Sequence, residues 1–208
     1  MGNLNLILFI SIVTPLAMML AVYKGKSRTS LLFLLLGVIV CLFCGELSGL
    51  LVQYVPCSLR YFKCNVTPAI EEICKALPIL VYAFLFRPKK QVLLESSIAV
   101  GVGFAVLENT FILASNVNSV SIGLAFVRGF GAGMMHGVCT LAVGYGMTFV
   151  HSRRKLFYTG TTALMAVAIV YHSIYNTLVQ SNYQWGGFLL PLLTFVPLIV
   201  ILKKKKVL

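Results

Sequence analysis

An all-helical, polytopic membrane bundle of about seven spans is the fold class this sequence predicts, and three observations predict it. Apolar residues make up 59% of the 208 residues, and the mean hydropathy is +0.95. Several apolar runs exceed the roughly 18 residues that cross a bilayer as helix. The stretches between them are too short for a soluble module, so residues 1–208 read as a single integral membrane domain. Any chemistry then has to sit among the helices.

Cutting at the polar breaks gives spans at about 3–22, 31–55, 67–86, 92–113, 121–150, 156–179 and 187–202. The first has no basic n-region and no small-x-small cleavage site before Lys24, so it is expected to stay as a helix. The second is apolar apart from Glu46. The third carries Glu71, Glu72 and Lys75 in its first turns, where each ion at mid-depth costs roughly 2.5–3.5 kcal/mol on insertion scales. The fourth holds Glu108 near its far end. The fifth is too long for one crossing and is expected to begin with an interfacial piece, SIGLAF, ahead of Arg128. The sixth brings in His172 and Asn176, and the seventh stays apolar up to the KKKK run.

Cytoplasmic loops retain Lys and Arg during insertion, and that rule gives an orientation. All of the 17 basic residues except Arg60, Lys63, Lys75 and Arg128 lie in KGKSR, RPKK, RRK and KKKK, which fall on one side of the seven spans. The expectation is an N-terminus outside and a C-terminus in the cytoplasm. A net charge of +12 could serve nucleic acid, but the basic clusters flank apolar spans without interleaved stacking aromatics. Anionic lipids at the cytoplasmic face are the expected partner, and nucleic acid is not.

Cys41, Cys44, Cys74 and Cys139 lie within spans and read as small apolar packing residues. Cys57 and Cys64 share an outer loop where a disulfide is one of two open alternatives; their spacing does not suit a zinc site.

All five acidic residues are glutamates. Glu71 and Glu72 lie four and three residues before Lys75, spacings that allow contact on a helix, and a buried ion pair fixing helix packing is one reading of them. Other spans bring polar groups to the same depth: Phe104, Glu108 and Asn109 in FAVLEN, His136 beside the Gly129, Gly133, Gly137 stripe, and His172 with Asn176 one turn apart. Gly101 and Gly103 would let a neighbouring helix approach closely. Glu95, after RPKKQ, is expected to be solvated or paired with Lys89 or Lys90. Glu46 would either pair with Lys75 or line an access path.

Carboxylates beside imidazoles in a wet pocket can deprotonate a water and stabilise the oxyanion formed when it attacks a carbonyl. The chain has no aspartate, no GxSxG and no HExxH, which removes a Ser-His-Asp triad and a paired-aspartate site and leaves glutamate as the base. Zinc is an open alternative, with Glu108, His136 and His172 as ligands, since Glu and His both bind it. A proton- or ion-coupled transporter is the other, although no internal repeat is evident and the polar groups lie toward one surface.

EEICK (Glu71, Glu72, Lys75), FAVLEN, HGVCT from His136 and HSIYN (His172, Asn176) together resemble the motif series of the PrsW family. That family belongs to the superfamily of CAAX proteases and bacteriocin-processing enzymes. The agreement runs over residues 67–179. The resemblance implies a helical protease of glutamic type in a bacterial cell membrane that cuts a membrane-anchored protein such as an anti-sigma factor near the extracytoplasmic face; such proteins have also been described as metalloproteases, and the expectation here is a mechanism without a cofactor, with zinc as the alternative. The resemblance makes Glu71 or Glu72 the general base and has Glu108 help hold the water. His172 and Asn176 would polarise the scissile carbonyl, His136 would complete the pocket, and Lys75, Phe104 and Asn109 would support it. In CAAX-protease relatives the second motif ends in His, where this chain has Glu108, which favours PrsW over prenyl-protein processing.

Overall fold

The computed structural model describes residues 6–7, 9–10, 12–16, 28–116 and 121–206. They form six long helices: α1 (Arg28–Leu51), α2 (Thr67–Phe86), α3 (Lys90–Ser115), α4 (Ile122–Met147), α5 (Arg154–Val179) and α6 (Gly186–Lys204). A helical turn, Leu59–Tyr61, and a π-helical turn, Phe62–Val66, lead into α2. No strand occurs among the described residues. All but α2 are long and apolar enough to cross a membrane; α2 is set apart by its three charged residues. The first expected span lies largely outside the described residues. Its described part is helical, with Ile7 packed on Leu113 and Ala125.

The expected boundaries hold to within a few residues, with one correction. SIGLAF is no separate interfacial piece: Ser121 caps α4 by accepting from the Leu124 amide, and the helix continues unbroken from Ile122 through Arg128 to Met147. A serine at this position satisfies an otherwise orphaned amide, which starts the helix there.

α3 is the centre of the bundle and is buried without a break from Leu93 to Ala105. Three glycines make this possible. A Cβ on Gly103 would collide with the carbonyl of Leu34 on α1, one on Gly37 of α1 with the carbonyl of Val100, and one on Gly101 with the carbonyl of His136 on α4. Two neighbouring backbones therefore close on α3 from different sides, the small-residue contact that drives helix association in lipid. In the predicted stripe, Gly129 meets Thr14, whereas Gly137 is in ordinary contact with Phe195. Exposed Leu31, Leu35, Ile39, Leu42 and Phe43 turn α1's other face outward, as a lipid-facing helix requires.

At one end of the bundle, α2 stops at Arg87 and α5 starts at Arg154. At the other lie the segment after α1, the end of α3 and the end of α5. Cys57 is exposed, Cys64 is buried, and both are free thiols.

Candidate active site

The first turns of α2 place Glu71, Glu72 and Lys75 inward together. All three are buried, and Lys75 Nζ lies 2.6 Å from Glu72 Oε1. The charge is offset locally, which is how an ammonium survives in such a place. The same Nζ lies 2.7 Å from His136 Nδ1 and 4.7 Å from the centre of the Phe104 ring, which thus serves as a wall of the site.

These contacts fix the proton on His136. An ammonium can only donate, so Nδ1 accepts from Lys75, and Nε2–H donates to Glu108 Oε2 at 3.0 Å. Both ring nitrogens are engaged. His172 is different: its Nδ1–H donates to Glu72 Oε1 at 2.8 Å, leaving Nε2 with a lone pair. That Nε2 lies 3.7 Å from Glu71 Oε2, and neither atom has a hydrogen-bond partner although both are buried. The two imidazoles meet edge to face at 4.9 Å.

Four helices thus deliver the six residues foreseen as catalytic to one end of the bundle, but not in equivalent positions. Glu71 lines two cavities, of about 500 Å³ and about 330 Å³, both also lined by Glu108. Glu72, 1% exposed, lines neither and is held by Lys75 and His172. Asn176 borders the larger cavity. Its position follows from the π-helical turn: with the Thr67 amide bonded to the Phe62 carbonyl, the next bond in that register would come from Pro68, which has no N–H. Asn176 Nδ2 donates to the Lys63 carbonyl instead, at 3.3 Å. Asn109 is buried away from the cluster, donating to the Arg128 carbonyl at 3.1 Å, and so acts on the bundle, not on the pocket.

Arg128 is the residue that sequence reasoning missed. Its guanidinium lies 3.6 Å from Glu108 Oε1 and it borders the larger cavity. Its signal in the sequence is a cation inside an apolar run. Of the two alternatives for Glu46, pairing with Lys75 is not seen, since Lys75 is held by Glu72 and His136; Glu46 is exposed on the rim of the smaller cavity. Glu95 is buried, not solvated, and accepts from Gln91 Nε2 at 2.9 Å.

The donor atoms that converge as a metal site would need are those of Glu71, His136 and His172, all within 4.8 Å of one another. The set expected from sequence had Glu108 in place of Glu71; Glu108 instead faces His136 and Arg128. Two histidines and a glutamate are a zinc-type set, and the unsatisfied Glu71 and His172 atoms suit it, with Glu72 behind His172 as an orienting carboxylate. His136 joins only if Lys75 leaves its Nδ1, because a ring ligating through Nε2 carries its proton on Nδ1.

A family model described as PrsW family intramembrane metalloprotease matches residues 25–202. No curated protein and no solved structure matches the chain.

Proposed function

The chain belongs to the PrsW family of intramembrane proteases and is a peptide hydrolase of the membrane; from that premise we propose an endopeptidase of glutamic type with Glu71 as the base. The observation that supports this is the unsatisfied pair, Glu71 Oε2 and His172 Nε2, with Glu71 on the wall of both cavities. A water spanning two acceptors 3.7 Å apart donates one hydrogen to each and keeps a lone pair for a scissile carbonyl carbon. Glu71 takes the proton as the C–O bond forms. The same proton then passes to the leaving nitrogen as the C–N bond breaks.

The remaining residues follow from their contacts. Glu72 fixes the tautomer that leaves His172 Nε2 an acceptor, so His172 shares the water and does not polarise the carbonyl. That second role falls to Asn176, whose Nδ2 has one hydrogen left after Lys63. Lys75 neutralises Glu72, and Arg128 neutralises Glu108, to which the neutral His136 donates, so that Glu71 is the one carboxylate of the group with no basic partner closer than 3.7 Å.

The substrate in this reading is a membrane-anchored protein such as an anti-sigma factor, cut near the extracytoplasmic face of a bacterial cell membrane. Two features support it. The cavities open at the end opposite Arg87, Arg153 and Lys203, the end that positive charge would hold in the cytoplasm. The smaller cavity also lies between α1 and α3, where exposed Leu42 and Phe111 offer a transmembrane segment an apolar approach.

A zinc-dependent form of the same hydrolysis is the second reading, favoured by the converging Glu71, His136 and His172 donors and by the family's description. Zinc held there would supply Lewis acidity and a water of lowered pKa. Purified protein in vesicles, given a panel of membrane-anchored substrates, separates the two. The glutamic reading expects cleavage that survives chelation and is lost in Glu71→Gln. One tightly held zinc per chain, removed by chelator together with all activity, would replace it with the zinc reading; a wild type that cleaves no member of the panel counts against both.

A further inference from the structure

The basic end of the bundle contains a second cavity system that the protease reading does not use. A cavity of about 440 Å³ is lined by Arg87 and Arg154 together with Phe84, His151, Phe157 and Tyr158. A smaller one, of about 170 Å³, shares Arg87 and His151 with it and adds Lys90. The walls come from the end of α2, the α4–α5 connection and the start of α5. His151 fastens them, its Nε2–H donating to the Ala83 carbonyl at 3.0 Å.

Three observations give this cavity a ligand chemistry. First, its guanidiniums lack a counter-ion: among the described residues neither Arg87 nor Arg154 has a carboxylate within 4.0 Å. Of the five glutamates, Glu71, Glu72 and Glu108 belong to the other end, Glu46 lies on that end's rim, and Glu95 is buried and accepts from Gln91. Second, Arg87 holds a left-handed backbone at φ 47° and ψ 52° as the last cap of α2. Glycine takes that place at least cost, so an arginine there accepts strain to present its side chain. Third, Phe84 and Tyr158, 60% and 65% exposed, extend from the guanidiniums over the outer face of the bundle. Aromatic residues in such positions belong at the level of lipid headgroups.

We propose that this cavity binds the phosphate of an anionic phospholipid between Arg87 and Arg154, with the lipid chains lying along Phe84, Phe157 and Tyr158. Guanidinium forks match phosphate oxygens in pairs, which makes this a defined site and not part of the diffuse attraction of the Lys203–Lys206 tail.

The test is lipid retention by the purified full-length protein, read by native mass spectrometry after release from vesicles containing phosphatidylglycerol or phosphatidylcholine alone. Wild type should keep about one phosphatidylglycerol per chain and no phosphatidylcholine. Arg87→Gly and Arg154→Gln should each weaken retention about fivefold, and a variant with Lys203, Lys204, Lys205 and Lys206 all changed to Gln should not. Arg87→Gly also guards against misfolding, since its backbone conformation suits glycine, and its melting temperature should not fall. Equal loss from the tail variant, or unchanged retention in both arginine variants, would overturn the site. A melting temperature raised as much by inorganic phosphate as by the lipid would overturn the role given to the aromatic wall.

Discussion

His172 Nε2 and Glu71 Oε2 face each other across 3.7 Å, both buried and both without a hydrogen-bond partner, while Glu72, next in sequence, holds both Lys75 and His172 on its Oε1 and leaves only its Oε2 unpartnered. Adjacent glutamates on one helix turn thus have different surroundings, Glu71 at the cavity wall and Glu72 at Lys75 and His172. A helix turns about 100° per residue, so one carboxylate reaches the cavities while its neighbour faces the bundle axis.

Glu71→Gln and Glu72→Gln should therefore separate activity from stability. Glu71→Gln removes a proton acceptor that supports no neighbour, and should cut turnover by about 10²–10⁴ with little change in melting temperature. Glu72→Gln leaves the ammonium of Lys75 without its counter-charge and should destabilise the fold by about 3–5 kcal/mol. Rate and melting curves on the same preparations decide it, and full activity in Glu71→Gln would remove that residue as base.

Asn176→Ala tests the polarising role against the bond to Lys63. Loss of an oxyanion donor should depress kcat by about 10²–10³ and leave KM nearly unchanged. If the amide serves only to satisfy the Lys63 carbonyl behind Pro68, the melting temperature falls and kcat holds.

Gly103→Ala should be poorly tolerated although it adds one methyl, because that methyl meets the Leu34 carbonyl and both backbones are fixed. Overpacking of this kind costs about 1–3 kcal/mol. Gly45→Ala on α1, where nothing lies within 4 Å, is the matched control and should be silent. Equal melting temperatures for the two would contradict the close α1–α3 approach.

Membrane orientation is checked by impermeant thiol labelling of single-cysteine variants in whole cells. Cys57, which is exposed, should label, and a cysteine placed at Lys89 should not. Cys64 should stay unreactive even on the accessible side because it is buried. Labelling at residue 89 with protection at residue 57 would invert the proposed topology.

The sequence by itself determined the class of structure and named most of the polar residues that gather at the candidate site, Arg128 excepted. Hydrocarbon tolerates backbone only as helix and ions only with partners, so apolar run lengths set the helices, and the rare Glu, Lys and His among them marked the chemistry. Helical periodicity even gave the Glu72–Lys75 contact, since i and i+3 share a face on any helix.

What the chain order could not give is which partner each group takes across helices. The Lys75–His136 bond that fixes one tautomer, the Glu72–His172 bond that frees the other ring's Nε2, and the Arg128–Glu108 pair join residues 20 to 100 positions apart. Those pairings depend on the angle and depth at which the helices meet, and Gly37, Gly101 and Gly103 set these by letting three backbones touch. Tertiary packing therefore decided that Glu71 faces the cavities while Glu72 supports it, because two neighbours with identical side chains differ only in what surrounds them.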